Sequence, residues 1–221
     1  GQHNAKPSKG ALEAVFHCAL YLAGTKRLAL RCPLHAEGEP KWRFYTDTDH
    51  AGNTEDGNKF RSQNGYVATC NGAPIMYGSK VSSIAFAHPK IGEAHADMSS
   101  GAAETYGAAN ATYECLALSY IADEHRIPFP SPIHLEMDNN TAKSFISNRN
   151  YKTKMKHIDL RQAWVRTLRD KDIIIPTKVH TSENLADLFT KILTPKQFQY
   201  LRDQMMHELP EQFWSSAHPS G

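Results

Sequence analysis

The sequence predicts an α/β fold: a mixed five-stranded sheet, three antiparallel strands followed by two parallel ones, flanked by helices. Three observations predict it. The strand-like runs of the first half include KWRFYTDTDH and a hairpin, GYVATCNGAPIMYGSK, turning at Asn71-Gly72. Two further short apolar runs, IHLEM and DIIIPTKVHT, alternate with stretches of helical spacing, the pattern of parallel additions to a sheet. Four carboxylates, Asp47, Glu104, Asp138 and Asp187, each stand at the edge of an apolar run. Strand ends and helix starts are where an α/β fold can aim such groups at one point.

In chain order, residues 1–10 are polar, carry Pro7 and Gly10, and read as a frayed terminus. ALEAVFHCALYLA (11–23) places Leu12, Val15, Phe16, Ala19, Leu20 and Leu22 at helical spacing, and Gly24 is expected to end the helix. Its Leu12, Val15, Phe16, Leu20 face is expected to pack on the main domain, at about 1.5–3 kcal/mol for each buried side chain. RLALRCPL reads as a short strand and AEGEP as a turn. KWRFYTDTDH puts Trp42, Phe44 and Thr46 on one face of a strand. AGNTEDGNKFRSQNG, rich in Gly, Asn and Asp, reads as a loop before the hairpin. VSSIAFA reads as a third strand and HPKIGEAHAD as an exposed loop.

Ser99 and Ser100 are N-cap candidates for a long helix from about Ala102 to Asp123. Its apolar face is expected to hold Tyr106, Ala109, Tyr113, Leu116, Ser119 and Tyr120. IPFPSP connects to the IHLEM strand, and Asp138, Asn139 and Asn140 open a helix reaching about Ser147. NYKTKMKH is a basic loop and IDLRQAWVRTLRDK another helix. Pro176 argues for an edge position of the DIIIPTKVHT strand or a bulge in it. SENLADLFTKI reads as a helix capped by Ser182, and the last helix starts with a Thr194 cap and Pro195 at its first position. The expected division is residues 1–40 as a tail, helix and strand, 41–193 as the main domain, and 194–221 as a C-terminal helix and tail.

The bulk properties narrow the chemistry. With 221 residues and 40% hydrophobic content the chain suits one globular domain with appended structure. A net charge of +2 does not mark a nucleic-acid binder by itself, so local charge has to decide. Cys18, Cys32, Cys70 and Cys115 form no CxxC pair and imply a reduced, intracellular protein with buried thiols. No apolar run is long enough to span a bilayer, so a soluble protein without a membrane partner is expected. The twelve histidines show no HExxH or finger spacing, which argues against zinc. Clustered carboxylates without a Cys/His set favour a hard cation such as Mg²⁺. Two such ions, about 3.5–4 Å apart, are a standard device for cutting phosphodiesters.

Six blocks in order resemble the ribonuclease H domain that ends copia-type retrotransposon polyproteins: YTDTDHAG, RSQNGYVATCNGAPIMYGSK, SSGAAETYGAA, IHLEMDNNTAKSF, KTKMKHIDLR and VHTSENLADLFTKIL. ALEAVFHCALYLAGTKRLAL resembles the segment joining the reverse transcriptase thumb or connection region to that domain. The resemblance runs from about residue 11 to about 205. It implies a ribonuclease H-like fold and an Mg-dependent endonuclease that hydrolyses the RNA strand of RNA–DNA hybrids during reverse transcription by two-metal in-line attack. Its catalytic and metal-holding acids fall on Asp47, Glu104, Asp138 and Asp187, for two Mg ions with Mn as substitute and no small-molecule cofactor. The partners it implies are the hybrid and the reverse transcriptase polymerase domain of the same polyprotein. The location it implies is the cytoplasm, including virus-like particles, or the nucleus. The chain departs from the family pattern at His50, at Ala102 and Thr105, and in an apparent insertion over residues 88–97.

Other residues carry a bland and a functional reading side by side. Asp49 lies two residues beyond Asp47 and is a candidate to support the metal ligands or compete with them. His180 is either a strand-end histidine or an auxiliary to the last acid. Asn139, Ser62, Gln63 and Asn64 are either turn formers or donors to the sugar–phosphate backbone. Lys152, Lys154 and Lys156, with Arg149, Arg161, Arg166, Arg169 and Lys171, form either a solvated basic face or a phosphate-tracking surface whose binding is salt-sensitive. Asp138 by itself fits an N-cap, and Asp187 a first-turn acid favoured by the helix dipole. The alternative function is a non-catalytic nucleic-acid-binding or scaffold module, kept open by the lack of a YxDD polymerase motif. A related nuclease acting on DNA would need a different acid spacing.

Overall fold

Turn chemistry sets the first half of the sheet. Asn71 and Gly72 both hold positive φ (52° and 80°), as a tight hairpin turn requires, and the flanking ladder closes at Cys70 and Ala73. The computed structural model describes residues 8–32, 38–53, 61–81, 86–87, 94–95, 100–138 and 156–211. By contacts the chain forms two units, one of Gly1–Leu30 with Met206–Gly221 and one of Arg31–Met205.

The larger unit holds the sheet. Strands β2 (Trp42–Asn53), β3 (Arg61–Cys70) and β4 (Ala73–Val81) are antiparallel neighbours. Strands β7 (Ile133–Met137) and β8 (Ile174–Lys178) add in parallel on the other side of β2, giving the order β4-β3-β2-β7-β8. This is the mixed five-stranded sheet expected, and β8, which carries Pro176, is an edge strand. A separate two-stranded ribbon pairs β5 (Phe86–Ala87) with β6 (Ala94–His95). Of the expected VSSIAFA strand, Val81 ends β4 and Phe86–Ala87 belong to that ribbon.

Helices α2 (Ser100–Glu124) and α3 (Lys156–Asp170) cover one face of the sheet. The core between them joins Phe44, Ala68, Leu135, Met137 and Ile174 of the strands to Ala108, Ala111, Cys115, Leu118 and Val165 of the helices. The buried face of α2 is therefore mostly small residues, not the aromatic stripe expected. Tyr106 and Ala109 are buried, but Tyr113 and Tyr120 point to solvent at 65% and 74% exposure. A helix lying close on a sheet has no room for large rings, and burying the small-residue face turns those two outward.

Beyond β8 the chain makes two 3-10 turns, η1 (Thr181–Glu183) and η2 (Leu185–Phe189), then helix α4 (Pro195–Met205). The single helix expected over SENLADLFTKI is thus broken. Asn184 supplies the physical reason: its side chain accepts from Ala186 N–H and caps a fresh turn. His180, not Ser182, caps the first turn. Thr194 accepts from Gln197 N–H and Pro195 opens α4, as expected. Contacts place α4 in the same unit as the sheet.

The smaller unit holds α1 (Lys9–Gly24) and a two-stranded sheet of β1 (Leu28–Leu30) and β9 (Met206–Glu208). Ser8 caps α1, and Thr25, not Gly24, is its C-cap. Within this unit Leu12, Val15, Phe16 and Leu20 are 55–72% exposed. All four cysteines are free, but only Cys115 is buried, whereas Cys18 and Cys32 are exposed. The helix expected from Asp138 to Ser147 and the NYKTKMKH loop lie largely outside the described residues.

Candidate active site

Strand register brings the first two acids abreast. β2 pairs with β7 in parallel, Phe44 opposite Leu135 and Tyr45 opposite Glu136. Continuing that register by two residues sets Asp47 level with Asp138, on neighbouring strands about 4.8 Å apart. β7 ends at Met137, so Asp138 emerges just where the parallel pairing stops. The sequence expectation put Asp47 at a strand end, but β2 runs on past it to Asn53 against β3. Sites in α/β sheets form at such places, where strand pairing changes direction.

The third acid arrives with η2. Gly65 of β3 makes this approach possible: a Cβ there would sit 2.7 Å from Thr190 Cγ2 and 3.0 Å from Ala186 O. Asn184 pins the turn by donating its side-chain amide to Thr46 O at 3.2 Å. Asp187 is thereby held on a 3-10 turn beside Asp47. Among the described residues, ligand oxygens of Asp47, Asp138 and Asp187 lie within 4.8 Å of one another. Asp47 and Asp187 are buried and Asp138 is partly exposed, which leaves one side of the cluster open to solvent.

Two neighbours not singled out from sequence complete the cluster. Lys191 Nζ lies 3.0 Å from Asp47 Oδ1, 3.1 Å from Asp187 Oδ1 and 3.6 Å from Asp138 Oδ2. Thr190 donates its hydroxyl to Asp47 Oδ2. The signal for Lys191 was its i,i+4 spacing from Asp187, an ordinary helix-surface ion pair by itself. Burial, together with the charge of Asp47, pushes the Asp187 carboxyl up to about 6. Burial also raises Asp47, against the opposing pull of Lys191 and Thr190. Lys191 feels burial as a lowering influence, but Asp47 and Asp187 outweigh it and its pKa is raised.

Glu104 is the fifth residue of α2, because the helix starts at Ser100, two residues earlier than expected, and its side chain lies outside the described ones. The helix that carries it is drawn close to β2 by Gly107, where a Cβ would meet Thr48 Oγ1 at 2.2 Å. Asp49 lies further along β2 and is not one of the three converging acids. His180 is exposed, with Nδ1 accepting from Ser182 N–H at 3.2 Å, and it too stands outside that cluster.

The expected nucleic-acid contacts divide. Ser62, Gln63 and Asn64 are on strand β3, not in a loop. Ser62 and Asn64 are buried, and Asn64 Oδ1 accepts from Thr48. Gln63 donates to Ser79 Oγ at 2.6 Å. Asn139, Lys152 and Lys154 lie outside the described residues, and Lys156 opens α3 without a described side chain. Arg169 of the same basic stretch is paired with Asp170.

No family model matches the chain. It is 27% identical over 197 residues to the retrovirus-related Pol polyprotein from transposon TNT 1-94 of Nicotiana tabacum, covering 89% of this chain and 14% of that protein. It is 28% identical over 204 residues to the retrovirus-related Pol polyprotein from transposon RE2 of Arabidopsis thaliana, covering 90% and 12%. The chain thus spans 12–14% of the length of these relatives, which are Pol polyproteins of plant transposons, as the sequence blocks imply. Among solved structures it is similar to LC11-RNase H1, isolated from compost, with 17% identity, a TM-score of 0.44, and coverage of 68% of this chain and 92% of that one.

Proposed function

We propose that this chain is a divalent-metal-dependent ribonuclease H that cuts the RNA strand of RNA–DNA hybrids during retrotransposon reverse transcription. The convergence of Asp47, Asp138 and Asp187 from three separate elements carries the reading. Burying carboxylates together is costly, and Asp187 is held up to about 6 even with Lys191 alongside. An all-oxygen donor set that is short of positive charge fits Mg²⁺ or Mn²⁺ and not a thiol- or imidazole-seeking metal. Asp47, Asp138 and Asp187 would hold the metal, with Glu104 of α2 as the fourth acid. Divalent ions bound there supply Lewis acidity for in-line attack of water on a phosphodiester and neutralise charge on the leaving oxygen.

The chain's own groups do the positioning. Thr190 fixes one oxygen of Asp47, so its carboxylate presents the other to the cluster. Asn184 and Gly65 hold η2, and with it Asp187, against the two strands. The partly exposed side at Asp138 is where a phosphodiester backbone gains access. Asn139 and Lys152, Lys154 and Lys156 follow Asp138 along the chain and are the proposed sugar–phosphate contacts, with the RNA 2′-OH as the group that separates hybrid from duplex DNA. The proposed protein partner is the polymerase domain of the same polyprotein.

The test is cleavage of an end-labelled RNA–DNA hybrid by the purified chain in Mg²⁺, beside Asp138→Asn and beside duplex DNA. Cutting of the RNA strand by the parent and loss of at least about a hundredfold in the variant is expected, the scale for removing a group that stabilises the transition state. Retained cutting in Asp138→Asn would refute the assigned site. Equal cutting of duplex DNA would refute the substrate class.

A further inference from the structure

We infer that Lys191 is the resident counter-cation of the acid cluster and a positioning residue for it: its ammonium occupies the seat of a divalent ion, and metal loading requires it to swing out. The inference deepens the metal-dependent nuclease reading and rests on it. Lys191 Nζ approaches an oxygen of each converging acid, at 3.0, 3.1 and 3.6 Å. Three partners at those distances, from three different elements, describe a coordination site and not a surface pair. The second acidic oxygen of Asp47 is taken by Thr190, so the oxygens facing inward are the ones Lys191 holds.

Charge sets how many ions the cluster can take. Three carboxylates facing one ammonium leave two uncompensated negative charges. With Lys191 in place that deficit remains, because its ammonium fills the space between the three acids. With Lys191 withdrawn, and Glu104 added from α2, four negative charges balance two. A cation at the centre of the three acids and the Lys191 ammonium compete for the same three carboxylates, because Nζ lies within 3.6 Å of an oxygen of each. The lysine has a way out: its side chain is 31% exposed, whereas those of Asp47 and Asp187 are 1% and 3%. Its long flexible stem lets the head move to solvent, or to a phosphate oxygen, without a change in backbone.

The measurement is calorimetric titration of the full chain with Mg²⁺ and with Mn²⁺, for the parent, Lys191→Met and Lys191→Arg, together with melting in EDTA. Lys191→Met should bind the ions roughly ten- to a hundredfold more tightly, the scale of losing a competing set of charge-assisted hydrogen bonds. It should also melt lower than the parent in EDTA and regain most of that loss in Mg²⁺. Lys191→Arg should stay near the parent in EDTA. An independent readout on the unmutated chain is amine labelling followed by mass spectrometry: Lys191 should be protected in EDTA and labelled in saturating Mg²⁺. Unchanged or weaker metal affinity in Lys191→Met, or Lys191 labelling indifferent to metal, would overturn the inference while leaving the nuclease reading standing. Absence of metal binding in the parent, Lys191→Met and Asp138→Asn alike would overturn both.

Discussion

Replacing Gly107 by alanine is expected to destabilise the chain, against the usual sign. In an ordinary helix interior the change gains about 0.5–1 kcal/mol, because alanine loses less backbone entropy and forms helix better. Here α2 lies against β2 so closely that the new Cβ would be 2.2 Å from Thr48 Oγ1 and 3.0 Å from Asn64 Oδ1. The first distance is more than about an ångström inside normal contact, so something has to move. Thr48 can turn its hydroxyl away, but then the bond it donates to Asn64 Oδ1 at 2.9 Å is lost in a buried place. Leaving that acceptor unsatisfied costs about 1–3 kcal/mol. If α2 lifts instead, overpacking costs about 1–3 kcal/mol. Either way the loss exceeds the helix gain, and a net destabilisation of about 1–2 kcal/mol is expected in urea titration at unchanged slope.

The same change should act on cleavage more strongly than on stability. Glu104 is three positions before Gly107 on the same helix, so a lifted helix displaces the residue proposed as the fourth acid. A misplacement on the order of 1 Å costs about a hundredfold in rate. Coupling identifies the cause: in a Thr48→Ala background, which removes the obstructing hydroxyl, Gly107→Ala should cost at least about 1 kcal/mol less. A Gly107→Ala variant as stable as the parent or more so, with full activity, would refute the close-approach reasoning.

Two further outcomes concern the site itself. The Asp187 carboxyl, pushed up to about 6 from 3.8, takes up a proton on folding between those values, so metal-free stability due to this group falls as pH rises through that window. At about 1.4 kcal/mol per unit, the parent should gain up to about 3 kcal/mol on Asp187→Asn between pH 7 and pH 4 in EDTA; a pH-independent difference in denaturant midpoints would contradict the assignment. Asn184→Ala removes both the cap on Ala186 N–H and the 3.2 Å bond to Thr46 O, leaving two buried backbone groups unpaired, and should cost about 2–3 kcal/mol by thermal melting.

What was legible in the sequence was what local chemistry writes. Asn-Gly at 71–72 demands a tight hairpin, Pro176 cannot sit in a central strand, and Thr194-Pro195 begins a helix; all three appear where expected. What was not legible depends on distant partners. The 3-10 turns at 181–189 arise because Asn184 commits its side chain to the next turn and to Thr46, a strand residue far back in the chain. The outward turn of Tyr113 and Tyr120 arises because α2 must approach the sheet through its small residues, as Gly107 shows. The loop reading of Ser62 and Asn64 failed for the same kind of reason. Their polarity suggested a turn, but Asn64 meets a strand neighbour, Thr48, that satisfies its buried carbonyl.

The acids and their counter-charge differ in visibility for a physical reason. Asp47, Asp138 and Asp187 each stand beside an apolar run, so residue type and position together mark them as candidates. A lysine four residues after an acid is common and solvated on most helices, worth only a few tenths of a kcal/mol. What makes Lys191 different is supplied by the fold: β2 and β7 set two more carboxylates level with each other, and η2 lowers a third beside them. Three carboxylates sharing a space less than 5 Å across favour a positive charge among them, or a proton on one of them. Among the described residues Lys191, two positions after η2, reaches in with its ammonium. The same segment of chain thus brings in both the third acid and the ammonium that faces all three, so the proposed ion and Lys191 would compete for one position.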